Sequence, residues 1–248
     1  MIRPEDRTAK DGLTMMFNRI VPASLLILVC GMSLPAADID GTIIVQHKLT
    51  KRRVTATANL YDRGVSVSLG SDQEQDPLAF ERTHVVIYLE GDSSTDAVTG
   101  ELGQKDRRFS PDLVVVPMGS TVSFPNYDPI FHDVFSLSNA KSFDLGNYAQ
   151  SQTRTVTFLK PGIVFVNCHL HSNMAAAIVV TPNRWSAKAD TAGHFTLPDV
   201  PPGKYTIVAW HKSAGFFRKT IQVTENGRVN VEFNIPLDEN GVLQQARR

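Results

Sequence analysis

The segment Val164–Met174 reads V-F-V-N-C-H-L-H-S-N-M. It begins inside the apolar run Ile163–Val166, which has the length and β-branched content of a strand. Beyond that run, Cys168, His171 and Met174 stand at C-x-x-H-x-x-M spacing. Three such side chains on one short loop face a common centre only if the loop curls back on itself. Upstream, behind the strand-like run Thr121–Phe124, comes P-N-Y-D-P-I-F-H-D-V-F, Pro125–Phe135, which carries His132. His132 would reach the same centre from a neighbouring strand and close it from the body of the fold. Strands hold both ends of the loop, so the protein rather than an ion would set much of the geometry.

Two imidazoles, one thiolate and one thioether form a donor set that favours one metal. Two His and one Cys in a trigonal plane, with a weak axial Met, make the blue-copper electron-transfer site. The soft sulfurs suit Cu(I) and the imidazoles serve Cu(II), so an arriving electron demands little rearrangement. Taken singly, the same residues are ordinary: free Cys and Met are usually core residues, and a lone His is more often a loop residue than a ligand. The agreement of two separated segments is what points to copper. Zinc is a poorer match, because structural zinc prefers more Cys or His. His169, directly after Cys168, should point away from the metal on an extended chain and reads as a surface residue. The alternative is an electron exit or a ligand to a second metal. The chain has seven His, and Asn167 rather than His precedes Cys168. That excludes a self-contained multicopper oxidase and argues against a nitrite-reductase-like type-2 site. The loop holds no second Cys, so a binuclear copper–thiolate centre is excluded as well.

Working outward, the apolar runs are short and separated by turn residues. Gly41–Val45, Val85–Leu89, Leu113–Val116, Thr121–Phe124, Thr155–Phe158, Ile163–Val166 and Ala177–Val180 are rich in Val, Ile, Thr and Phe. Asn126–Pro129, Lys160–Gly162 and Pro182–Arg184 punctuate them. No sustained helical period occurs, so any helix is short and the fold class is all-β, of sandwich type. The last third repeats the pattern with strands at Phe195–Leu197, Tyr205–His211, Phe217–Val223 and Val229–Ile235. Its turns fall at Asp190–Gly193, Pro201–Gly203 and Asn226–Gly227. Trp185, Tyr205 and Trp210 are expected in the core of this last sandwich. His47, His84, His194 and His211 show no ligand spacing and read as surface or strand residues, and Asp144 in F-D-L-G-N-Y reads as a turn residue. No nucleophile elbow, phosphate loop or paired catalytic carboxylates stand out, so an enzyme is not expected.

Residues 1–37 read as an export signal. Arg19 precedes a short apolar run, Leu25–Val29, and the small residues of Ser33–Ala37 suit cleavage. The apolar run is far below the ~20 residues a membrane span needs. A start at Met15 or Met16 would give a more typical leader, and an uncleaved anchor is the alternative. Val29 before Cys30 is too bulky for a lipidation signal. Over the 248 residues, 25 Lys+Arg balance 25 Asp+Glu, which disfavours a nucleic-acid partner. Cleavage would remove four cations and three anions, leaving 21 against 22 and a net charge of −1. It would also leave Cys168 as the one thiol in an oxidising compartment, which a bound metal would explain.

Gly119–Val134 and the short C-x-x-H-x-x-M loop resemble the cupredoxins of plastocyanin and amicyanin type, the loop length being nearer amicyanin. The resemblance spans Gly103–Thr181 and implies a Greek-key sandwich with His132, Cys168, His171 and Met174 as ligands to one type-1 copper. Cupredoxins usually carry Asn directly after the first ligand His; this chain has Asp133, so no redox potential carries over. D-T-A-G-H-F-T-L-P-D-V-P-P-G-K-Y-T-I-V-A-W-H, Asp190–His211, resembles the carboxypeptidase regulatory-like, transthyretin-like sandwich. That family opens on a Gly-aliphatic strand and a V-x-V-x-L strand, roles that Ile39–Val45 and His84–Glu90 fill far upstream. The expected organisation is therefore N-terminal strands in 38–93, a cupredoxin domain in 94–183 inserted into the other sandwich, the rest of that sandwich in 184–236 and a loose tail in 237–248. Tandem domains are the alternative. The combination resembles proteins labelled methylamine utilisation proteins.

The implied function is a periplasmic, monomeric carrier of single electrons, docking a redox partner protein near His171. Leu170, Ser172, Asn173 and Ala175–Ala177 would form the docking patch. No stable membrane insertion is expected once the signal is cleaved. Two other classes stay open: a copper carrier that delivers the ion to an exported enzyme, and an envelope binding module in which the copper has no redox turnover.

Overall fold

A computed structural model of the chain describes residues 36–49, 76–91, 96–225 and 227–236. The expected export signal up to residue 35, the expected loose tail from 237 and Asn226 of the expected Asn226–Gly227 turn lie outside the described residues. The architecture is all-β, with one short helix among the described residues. In chain order the elements are β1 (Ala37–Val45), α1 (Ala79–Thr83), β2 (Val85–Glu90), β3 (Thr99–Glu101), β4 (Gly103–Lys105) and β5 (Arg108–Ser110). Then come β6 (Leu113–Pro117), β7 (Thr121–Pro125), β8 (His132–Ser138), β9 (Lys141–Tyr148), β10 (Thr153–Thr157) and β11 (Gly162–Cys168). The chain continues through β12 (Ala175–Thr181), β13 (Ser186–Lys188), β14 (His194–Val200), β15 (Gly203–His211), β16 (Gly215–Val223) and β17 (Arg228–Ile235).

The two-residue period of a strand decides which core each side chain enters. In β12, Ala176, Ile178 and Val180 join one buried cluster with Val122, Phe124, Phe158, Val164 and Val166. This cluster fills the space between a five-stranded sheet, β6-β12-β11-β8-β9, and a three-stranded sheet, β10-β7-β3. The alternate residues Ala177 and Val179 face the other way and meet Val86, Leu113 and Trp210. In β2 and β15 the alternation runs the same way: Val85, Ile87, Leu89, Ile207 and Ala209 enter a further core, Val86 and Trp210 the seam. That further core lies between the sheets β13-β2-β15-β16 and β14-β1-β17. The packing thus runs through four sheets, with β12 covered on both sides.

Strand β1 runs antiparallel to β14 and parallel to β17, while β2 lies between β13 and β15. Chain segments from either side of β3–β12 therefore hydrogen-bond into the same two sheets. At the centre of β1, Gly41 is required by close approach: an added Cβ would come within 2.2 Å of the Val231 carbonyl and 2.3 Å of the Phe195 ring.

Several details depart from the sequence reading. Trp210 is buried in the seam between the two pairs of sheets and not in the core of the last sandwich, because it alternates with Ala209. Asp144 lies within β9, where its Oδ1 accepts the Gly146 N–H at 2.9 Å. Strands β8 and β9 are absent from the apolar pattern, since β9 is an edge strand with mostly exposed or half-buried side chains. His211, at the end of β15, is fully buried against Glu81 of α1, Nε2 to Oε2 at 3.2 Å.

Candidate metal centre

The site forms where the ends of β8 and β11 meet. Cys168, the last residue of β11, pairs with Val134 of β8. His132 opens β8 opposite Tyr148 of β9. The loop 169–174 turns back at once, with the Met174 N–H donating to the His171 carbonyl at 3.0 Å, and β12 follows. The two ligand segments are tied by the His169 N–H, which donates to the Asp133 carbonyl at 3.0 Å. A backbone bond thus joins them, irrespective of the side chain at position 133.

These turns bring His132, Cys168 and His171 together, their ligand atoms within 4.8 Å of one another. Cys168 Sγ lies 3.8 Å from His132 Nδ1 and 3.6 Å from His171 Nδ1. An ion bound to imidazole at about 2.0–2.1 Å and thiolate at about 2.3 Å, with ligand angles of about 110–120°, separates N from S by about 3.6–3.8 Å. Both imidazole nitrogens already stand at the distance from the sulfur that one shared ion requires. His132 is fully buried, Cys168 nearly so and His171 half-buried. Met174, three residues beyond His171, is buried in the same hydrophobic cluster as Cys168.

The electrostatics keep the second imidazole available. Burial lowers the His171 pKa below its ordinary value, and the neighbouring His132 and Arg107 add to the shift. A neutral ring keeps a lone pair for a metal. Behind His132 stands Asp128, whose Oδ2 lies 2.9 Å from His132 Nε2. The same carboxylate accepts the backbone N–H groups of Asp106 at 2.6 Å and Arg107 at 2.9 Å. Burial would raise the Asp128 pKa, but the bonds from Arg107, His132 and Asp106 outweigh it and hold the group below the usual carboxylate range. Asn126 shapes the loop beneath: its Oδ1 accepts the Asp128 N–H at 2.9 Å, and its Nδ2 donates to the Ile130 and Tyr148 carbonyls. The sequence marks Asn126–Pro129 only as a turn. The signal that could have found Asp128 is a carboxylate four residues before the candidate ligand.

His169 does not join the trio. It is exposed on the opposite face of the strand end, stacked on Phe135 with ring centroids 3.7 Å apart. Its ring nitrogen, Asp133 and Asp144 offer ligand atoms within 4.8 Å of one another on that outer face. Burial and the adjacent Asp144 raise the Asp133 pKa, and Asp133 Oδ1 is buried with no hydrogen-bond partner. The expected docking patch changes composition. Leu170, Ser172, Asn173 and Ala175 are exposed, whereas Ala176 and Ala177 are buried because β12 has already entered the core. The loop before β8 also exposes Tyr127, Ile130 and Phe131.

Residues 180–231 match the family described as Polysaccharide lyase family 4, domain II, a stretch containing the Asp190–His211 pattern. No curated protein matches the chain. Among solved structures it is similar to a Cu-containing nitrite reductase (NirK) from Thermus scotoductus SA-01, with 22% identity and a TM-score of 0.32. That alignment covers 37% of this chain and 24% of the reductase, so the chain spans about a quarter of that protein. It is also similar to a purple cupredoxin from Nitrosopumilus maritimus, with 19% identity, a TM-score of 0.30, and 33% and 98% of the two chains covered. A reduced amicyanin variant aligns with 17% identity and a TM-score of 0.31, over 38% of this chain and 97% of that one. Among the described residues no helix is long and apolar enough to cross a membrane.

Proposed function

We propose that the chain holds one copper ion at His132, Cys168, His171 and Met174 and carries single electrons between partner proteins in the periplasm. The observation that carries this reading is the Cys168 sulfur flanked by two imidazole Nδ1 atoms at 3.8 and 3.6 Å. Bound copper would supply the one-electron couple; the chain's own residues would hold it and limit its movement. The thiolate and the His132 imidazole sit at strand ends that the core already fixes, which keeps rearrangement small. Burial of His132, Cys168 and Met174 excludes water from the sulfur side. The half-buried His171 is the edge open to a partner; Leu170 beside it in the chain is exposed, as are Tyr127, Ile130 and Phe131 in the loop that leads to His132. A small apolar patch of this kind suits the brief, weak contacts of redox partners. No substrate is transformed in this reading, and the chain acts as a monomer. The periplasmic location rests on the leader-like residues 1–37, and the insertion of residues 94–183 into the second sandwich rests on the pairing of β1 and β2 with late strands.

The test is addition of Cu(II) to the chain beginning at Asp38, followed by visible absorption and electron paramagnetic resonance. An intense blue band with narrow copper hyperfine splitting, lost in Cys168→Ser, is the expected result. A colourless protein with an ordinary type-2 signal, or no signal, refutes it and leaves copper delivery or a plain binding module.

A further inference from the structure

The Asp128 carboxylate is nearly fully buried and makes three bonds in three directions. Two go to the tip of the β4–β5 hairpin, where Asp106 and Arg107 both adopt left-handed backbone, φ 54° and 55°. A two-residue hairpin turn of this type requires positive φ at both central positions, and Gly or Asn usually supplies it. Asp106 and Arg107 accept that strain, and their N–H groups converge on one carboxylate. The third bond goes to Nε2 of His132. A carboxylate accepts but does not donate, so Nε2 of a neutral His132 must carry the ring proton. Nδ1 is then the bare nitrogen, and it is the atom that faces Cys168 Sγ.

We infer that Asp128 is a positioning residue that fixes His132 in its Nε2–H tautomer and aims the free Nδ1 at the metal position before any metal arrives. The inference rests on the copper reading for its consequence, but the tautomer exists without copper. Because the hairpin tip holds the carboxylate from behind, Asp128 has no freedom to rotate away when His132 binds or releases an ion. Partners of this kind around ligand histidines typically change metal affinity by about 10–100-fold when removed.

The experiment is nitrogen NMR of the copper-free chain labelled on histidine, beside copper titrations of Asp128→Leu and Asp128→Asn. In the wild type at neutral pH, His132 is expected as the Nε2–H tautomer alone. Asp128→Leu removes the acceptor and should give mixed tautomers with copper affinity lowered about 10–100-fold. Asp128→Asn keeps an acceptor for Nε2–H and should retain the tautomer and most of the affinity. A wild-type His132 protonated on Nδ1, or an Asp128→Leu protein with unchanged tautomer and affinity, overturns the assignment. Should Asp128→Leu fail to fold, the wild-type spectrum and the Asn variant still decide. If the wild type binds no copper, the function proposed above fails while the tautomer still reports on Asp128.

Discussion

Two buried imidazoles in this protein are held by carboxylates at their Nε2 atoms, and they do different work. His132 meets Asp128 at 2.9 Å and His211 meets Glu81 at 3.2 Å, with all four residues at most 5% exposed. What separates them is the other ring nitrogen. Nδ1 of His211 accepts the Ser213 N–H at 3.2 Å, so that ring has both nitrogens occupied within the chain. Nδ1 of His132 faces a sulfur that Nδ1 of a second imidazole, His171, also approaches. A carboxylate behind a histidine therefore does not mark a metal ligand. The marker is a second nitrogen aimed at another donor at ion-sharing distance.

If that contrast is right, the two pairs should respond oppositely to substitution. His211→Leu leaves the buried Glu81 without this partner and should cost about 3 kcal/mol of unfolding free energy in urea, with the copper spectrum unchanged. His132→Leu should cost less, about 1–2 kcal/mol, since Asp128 keeps two backbone donors, yet it should abolish the blue band. The effect of pH sharpens the comparison further. Burial lowers the His211 pKa from 6.5, with the His84 charge helping and Glu81 opposing. Its stability contribution is present above pH 6.5 and is lost as pH falls through the lowered folded value, because the unfolded chain then binds more protons. The stability gap between wild type and His211→Leu should accordingly be wider at pH 8 than at pH 5, by urea unfolding at each. His84 has the opposite sign in both proteins. Burial pulls it down, but the Asp112 carboxylate and the Phe80 carbonyl raise it overall, so its contribution is full below pH 6.5 and fades above. Smallest of all, His169→Ala should change stability by no more than about 0.5 kcal/mol and leave the copper spectrum as it was, since that ring lies exposed on the outer face.

The candidate ligand set was legible because it is written in local spacing, C-x-x-H-x-x-M after a strand, with His132 behind a second strand. Alternation likewise exposed most of the long strands. Strand β9 stayed hidden because it is a polar edge, while β8 was expected only as the strand that carries His132, with no bounds of its own. Trp210 and His211 show the other limit. Composition says that Trp belongs in a core, but only the pairing of β15 with β2 says which core, and one step of alternation sends Trp210 to the seam. Asp128 and Glu81 were invisible for a related reason: a carboxylate reads as surface until the fold places a donor against it. Glu81 lies 130 positions from His211, so no local pattern could link them.

The burial of β12 on both faces has a consequence for amide exchange. Its backbone is hydrogen-bonded to β6 on one side and β11 on the other, while separate cores cover it above and below. Amides in such a strand open to deuterium only when most of the molecule unfolds. The loop 169–174 therefore runs straight into a strand expected to exchange slowly, one residue after Met174. Local breathing that reaches His171 should stop at Ala176, and the deuterium uptake of successive residues there should fall from fast to slow within a single turn of chain.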